Sequence, residues 1–187
     1  MSKVTLSGIV RYPIKSAAGY ALDEAQMDDL GLEGDRRWMI VDKAGNAVTQ
    51  RDIRALALLQ VRGNDDRLEL AFEGNAIVVD APGSNAKQIH PTVWGFTQSA
   101  PVAELGVNEW LSRVLGEPLQ LVHCPDDTRR SVEEGYAPAS QRIAFSDGYP
   151  LLLVGEASLQ LLNEKLPREV PMNRFRPNLV VRGAGPH

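Results

Sequence analysis

The sequence predicts a mainly β protein with some helix, its first two thirds forming a barrel-like domain. Three observations carry that expectation. Apolar and polar residues alternate with a period of two along most of residues 3–94. Turn residues break the alternation at short intervals, at Lys43-Ala44-Gly45-Asn46, Gly63-Asn64-Asp65-Asp66, Glu73-Gly74-Asn75 and Pro82-Gly83-Ser84. One clear amphipathic helix follows. Many short strands with regular turns indicate a barrel or sandwich, and closure would remove exposed edges.

Strands are expected at residues 3–10, 21–27, 36–42, 46–49, 57–62, 67–72, 76–80 and 87–94. The first runs into Pro13, which fixes φ and stops it. Asp65-Asp66 joins two alternating runs as a hairpin. The helix is expected over 101–115, with Pro101 in its first turn. Val102, Leu105, Trp110, Leu111 and Val114 form its apolar face, and Gly116 and Pro118 end it. A strand at 119–122 returns to the sheet. Trp38, Trp94 and Trp110 read as core residues.

The charged stretch 124–148, with Asp126-Asp127, Arg129-Arg130 and Glu133-Glu134, reads as a linker between a first domain, 3–123, and a second unit, 149–187. Arg129 and Arg130 could close over an anion. In the second unit, 149–154 is expected as a buried strand. A helix opens at Gly155-Glu156-Ala157-Ser158, and a strand follows at 179–181. That order is the start of a β-α-β unit.

Length and charge narrow the functional classes. A chain of 187 residues suits one large domain or two small ones. The net charge of −4 argues against non-specific nucleic-acid binding. No apolar run approaches the roughly 20 residues that span a bilayer, and the N-terminus lacks a signal-peptide pattern. The single cysteine, Cys124, allows no internal disulfide and fits a reducing, cytoplasmic setting. His123 and Cys124 are adjacent on a strand and point to opposite faces, so they read as strand-end residues and not as metal ligands. Only His90 and His187 accompany His123, too few for a histidine-rich metal site.

Candidate functional residues gather in basic turns beside apolar strands. Lys15 and Ser16 follow the first strand in Tyr12-Pro13-Ile14-Lys15-Ser16. Arg36 and Arg37 open another in Gly34-Asp35-Arg36-Arg37-Trp38, and adjacency sends their side chains to opposite faces. Arg174 and Arg176 flank Phe175 in Asn173-Arg174-Phe175-Arg176-Pro177-Asn178, with Pro177 biasing Arg176 toward extended backbone. Arg51 stands either near the same site or in an ion pair with Asp52 or Asp35. Arginine grips phosphate or carboxylate through paired donors, and lysine adds a compact charge. These residue types suit a phosphorylated or carboxylated small molecule.

The same elements carry a family resemblance, together with Val48-Thr49-Gln50-Arg51, Ala144-Phe145-Ser146-Asp147 and Gly155-Glu156-Ala157-Ser158-Leu159. In order and spacing the chain resembles MOSC-type molybdenum cofactor proteins of the amidoxime-reducing kind, some of whose bacterial relatives are fused to a ferredoxin. The resemblance implies a MOSC N-terminal β-barrel-like domain followed by the beginning of a MOSC domain. It implies that Lys15, Ser16, Arg36, Arg51, Ser158, Arg174 and Arg176 contact a molybdopterin cofactor. It further implies reduction of N-hydroxylated small-molecule substrates, with electrons from a ferredoxin-type or other redox partner. The family's molybdenum-ligating cysteine lies beyond this sequence, so no metal ligand and no independent turnover are expected of these residues. Two other classes stay open: a non-catalytic anion-binding or partner-docking barrel module, and a pyridoxal-phosphate protein built on Lys15. Exposed strand edges would favour self-association.

Overall fold

A pair of antiparallel strands, β5 (Trp38–Val41) and β13 (Gln120–His123), forms a wall between two apolar cores. All four residues of β5 are fully buried. Strand alternation sends Trp38 and Ile40 to the larger core and Met39 and Val41 to the smaller one. In β13, Leu121 and Val122 divide the same way. This is the computed structural model of the chain, which describes residues 3–133, 135, 137–138 and 140–186. Glu134 of the charged stretch and His187 lie outside the described residues.

Around the wall, the chain forms β1 (Thr5–Arg11) and β2 (Tyr20–Leu22), then the two-residue strands β3 (Met27–Asp28) and β4 (Gly31–Leu32). After β5 comes the meander β6 (Gln60–Gly63), β7 (Arg67–Phe72) and β8 (Asn75–Asp80). In β7, Leu68, Leu70 and Phe72 face the larger core while Glu69 faces outward. Four more two-residue strands follow: β9 (Gln88–Ile89), β10 (Thr92–Val93), β11 (Phe96–Thr97) and β12 (Ala100–Pro101). Helix α1 (Leu105–Leu115) precedes β13. The chain closes with β14 (Leu153–Gly155), α2 (Glu156–Asn163) and β15 (Leu179–Arg182).

The expected barrel is not there. Among the described residues, the strands fall into six separate sheets, none closed on itself. The largest is open, in the order β14-β15-β1-β2, with β14 parallel to β15 and the other pairs antiparallel. Among the described residues, isolated bridges such as Ile14–Trp38 and Val102–Val122 link several of these pieces. Alternation reports which face of a strand is buried, and that is a local property. Closure depends on which strands pair, and here two-residue strands turn straight back on themselves, as β10 and β11 do through Trp94 and Gly95 at positive φ.

Other boundaries also move. Residues 54–58 form a 3₁₀ turn where the sequence suggested the start of a strand. Pro91 divides the expected 87–94 strand into β9 and β10. Helix α1 begins at Leu105, because Pro101 pairs in the short edge strand β12. Leu105 is consequently 71% exposed and lies off the expected apolar face, and Trp94 is 62% exposed where a core residue was expected. Leu152 and Leu153 are exposed where residues 149–154 were expected to be buried.

Buried polar groups in α1 are paired. Asn108 donates its amide to the Ala103 carbonyl (2.9 Å) and accepts from the Leu121 amide (2.8 Å). Helix α1 is thereby tied to β13, and Gly116 ends it in the left-handed conformation. Truncating the wall is expected to cost far more than altering the helix start. Ile40→Ala should lose about 2–5 kcal/mol, and Leu105→Ala less than about 0.5 kcal/mol. Urea unfolding of the two variants checks this, and equal losses would contradict the two-core description.

Candidate functional site

The turn after β1 and the approach to β5 are zipped together by backbone bonds. Arg36 N–H donates to the Tyr12 carbonyl (2.8 Å), Trp38 N–H to Pro13 (3.0 Å), and Lys15 N–H to Trp38 (2.8 Å). The Tyr12 N–H donates to the buried carboxylate of Asp35 (2.7 Å). Tyr12, Pro13 and Ile14 are buried. Lys15 and Arg36 therefore project from a rigid base. The chain then reverses at Ser16, whose φ is +67°, and Gln50 donates to its carbonyl (2.7 Å).

Arg36 and Arg176 meet over one aromatic ring. Their guanidinium carbons lie 4.9 Å and 4.3 Å from the centroid of Tyr12. Arg36 also donates to Asp35, to the Asn178 side chain (3.0 Å) and to the Arg176 carbonyl (3.2 Å). Arg176 donates through Nη1 to Ala17. Its Nη2 and the Tyr12 hydroxyl are both buried without a hydrogen-bond partner. Burial, and then the neighbouring Arg36, push the Arg176 guanidinium down to about 10. Burial likewise raises the Tyr12 phenol.

Fully buried Asn178 brings this C-terminal segment to the site. Its amide donates to Val10, its side-chain oxygen accepts from Arg36 and the Leu152 amide, and its own carbonyl accepts from the Val10 N–H. On the other side, Lys15 is only 5% exposed and donates to the Phe145 carbonyl (3.0 Å) and to Asp147 (2.5 Å). Burial lowers the Lys15 ammonium against the pull of Asp147. Partial burial raises Asp147, but Lys15 and the Trp94 indole overcome it and hold the carboxyl below its ordinary value. Arg130 is buried and braces the same loop, donating to the carbonyls of Ala144, Ser146 and Asp147. Lys15, Arg36, Arg130 and Arg176 thus stand against two carboxylates, Asp35 and Asp147, leaving two positive charges in excess.

The structure brings together Lys15, Ser16, Arg36 and Arg176. Arg51 is exposed at the rim, next to Gln50. Among the described residues it forms no salt bridge. Asp52 accepts from Thr49 instead, and Asp35 from Tyr12 and Arg36. Arg174 ends an exposed 3₁₀ turn, and the contacts that build the cluster run through Arg176. Ser158 lies in the first turn of α2, beside Gly155. Arg37 turns the other way, pairs with Asp28 and is buried. The sequence did not single out Tyr12, Asp147 or Asn178 for a role in the site. Each stood inside a quoted motif, and only the tertiary contacts show what it does.

A cleft of about 390 Å³ beside the N-terminus of α1, lined in part by Lys87, Glu104 and Asn108, contains none of these residues. Cys124 is buried in the smaller core, where burial raises its thiol to about 12. The adjacent His123 points instead to Asp65 (2.7 Å) and the Trp38 ring. Among the described residues, no group of three or more His, Cys, Asp or Glu side chains is placed to hold a metal ion. Among the same residues, no helix is long and apolar enough to cross a membrane.

A family model described as the MOSC N-terminal beta barrel domain matches residues 3–118, and one described as the MOSC domain matches residues 140–187. The chain belongs to the MOSC family. Mitochondrial amidoxime-reducing component 1 of Mus musculus is 31% identical over 97% of this chain and 56% of its own length. The Homo sapiens protein of that name is 31% identical over 96% and 56%. The molybdenum cofactor sulfurase of Drosophila grimshawi is 31% identical over 91% of this chain and 22% of its own. This MOSC chain thus spans about half the length of the amidoxime-reducing relatives it matches. A solution structure of a Bordetella bronchiseptica protein aligns at 18% identity and a TM-score of 0.42, over 56% of this chain and 92% of that one.

Two outcomes test the site's electrostatics. Cys124 should resist a thiol reagent at pH 8 in the native state and react only on unfolding, and rapid native labelling would contradict its burial. Asp147 has a folded pKa below its unfolded one. Its stabilisation is therefore present above the ordinary carboxylate value of about 4 and lost as pH falls through the folded value. Asp147→Asn should destabilise the chain at pH 7, and the penalty should vanish under strongly acidic conditions. Urea titrations at both pH values read this, and a pH-independent penalty would contradict it.

Proposed function

We propose that this chain binds the phosphate-bearing, pterin part of a molybdenum cofactor at the Lys15–Arg36–Arg176 cluster. The observation that carries the reading is the pair of buried, unpartnered polar atoms, Tyr12 Oη and Arg176 Nη2, at a cluster that, counted with Arg130, has two excess positive charges. Buried polar groups without partners are rare and costly. A phosphate ester carries about −1.5 to −2 charges at neutral pH, with several strong acceptor oxygens. Such a group would match both the orphaned donors and the excess charge.

In this reading Arg176 and Arg36 grip the anionic end, and the Tyr12 ring holds both guanidinium groups close by. Lys15 supplies a compact charge once its pairing with Asp147 is shared with the ligand. Ser16 and the surrounding backbone amides would meet the ring edge, with Arg51, Ser158 and Arg174 at the periphery. The residues fit an anion and a hydrogen-bonding heterocycle. None in the cluster is a soft ligand for the metal ion itself, and the one thiol is buried in the other core. When bound, the cofactor would supply a two-electron centre for cleaving the N–O bond of an N-hydroxylated substrate, as the names of the amidoxime-reducing relatives suggest. A redox partner would supply the electrons. This chain's contribution would be to bind the group, orient it and shield it.

Calorimetry with a phosphate-bearing pterin tests the reading. Arg176→Ala should weaken binding by about 1.5–3 kcal/mol, the loss of a charged hydrogen bond. An unchanged affinity would remove Arg176 from the site and leave the buried Nη2 unexplained.

A further inference from the structure

Trp94 is the least conventional residue near the cluster. It sits in the turn between β10 and β11 with φ of +51°, followed by Gly95 at +78°. Asn-Gly or Asp-Gly is the usual pair where both turn residues need positive φ. A bulky aromatic side chain there is an outlier that asks for an explanation. The side chain is also 62% exposed, whereas Trp38 and Trp110 are buried.

The exposed ring is nonetheless fixed in place. Its Nε1–H donates to Asp147 (2.9 Å), the same carboxylate oxygen that accepts from Lys15. The Lys15 ammonium lies 5.8 Å from the ring centroid. Trp94 is therefore tethered by its edge to the cluster while much of its surface stays open to solvent. A tethered aromatic surface loses little freedom on binding, which makes it an effective contact for a flat partner.

We propose that Trp94 is a stacking platform that selects a planar, nitrogen-rich ring in the ligand whose anionic end lies at Arg36 and Arg176. The inference rests on the reading above and adds a specificity element to it. The basic cluster recognises charge, and Trp94 distinguishes an aromatic ligand from a bare anion. Stacking on an aromatic side chain is a substantial contribution for any flat heterocycle. Asp147 then acts through Trp94 and Lys15 as a positioning residue, holding ring and ammonium in a fixed relation.

Calorimetry on the full chain with two probes, a phosphate-bearing pterin and inorganic phosphate, tests this. Trp94→Ala should weaken the pterin phosphate by about tenfold and change inorganic phosphate little. Trp94→Phe keeps a ring without the N–H and should retain most of the pterin affinity. The inference is overturned if Trp94→Ala binds the pterin phosphate like the parent. Equal loss of both probes would also overturn it, since the residue would then serve the anion site and not the ring. A Trp94→Phe variant as impaired as Trp94→Ala would place the role in the bond to Asp147 and overturn stacking. If the parent chain binds neither probe, the cluster reading fails and this inference with it. If Arg176→Ala is impaired while Trp94→Ala is not, stacking alone fails.

Discussion

The site depends on the hydrogen bonds that join residues 12–15 to residues 35–38. Four hydrogen bonds, one of them to the buried Asp35 carboxylate, lock the two segments side by side. This junction is anchored from beneath by Ile14 and Trp38, both fully buried in the larger core. Without it, Lys15 and Arg36 would be two solvated cations on separate loops. With it, burial lowers the Lys15 ammonium, and repulsion from the neighbouring Arg130 and Arg36 adds to that. That repulsion is a standing cost, which the core packing and the carboxylates Asp35 and Asp147 offset.

The third cation arrives by a different route. Arg176 lies 140 residues from Arg36, and the pairing of β15 with β1 carries it to the cluster. Asn178 fixes the junction by bonding both to the end of β1 and to Arg36. Because the cluster combines the two ends of the chain, it cannot form before the long-range pairing does. Such non-local contacts slow folding, since the loop must close before the contacts stabilise it.

The sequence revealed the residue types better than their arrangement. The alternation in β7, the wall strand β5 and the close of α1 at Gly116 were legible because each reflects local periodicity or a local cap. Barrel closure was not, because no alternation pattern states which strand pairs with which. Lys15, Arg36 and Arg176 were legible as basic residues in turns. Their meeting over Tyr12 was not, since a buried tyrosine inside a motif looks like any core aromatic. Trp94 misled for a related reason. Tryptophan is usually core, and nothing in Trp94-Gly95 announces that both residues turn with positive φ. The resemblance to MOSC proteins correctly gave the family, but it named contact residues without saying how Asp147, Arg130 and Asn178 would brace them.

Five non-glycine residues among those described adopt positive φ: Ser16, Arg36, Glu73, Trp94 and Arg176. Four of the five stand in or beside the cluster. Each such conformation costs on the order of 1–3 kcal/mol, and glycine would adopt it freely. Glycine at Ser16 or Trp94 would relieve that cost at the loss of one side chain, whereas at Arg36 and Arg176 it would also strip buried hydrogen bonds and leave the buried Asp35 carboxylate without its ion pair. A library of variants sorted only for resistance to heat or protease should therefore accept glycine at the first two places and reject it at the other two. The pattern of tolerated and rejected glycines across those positions becomes a record of what the protein is kept for, readable without knowing its ligand.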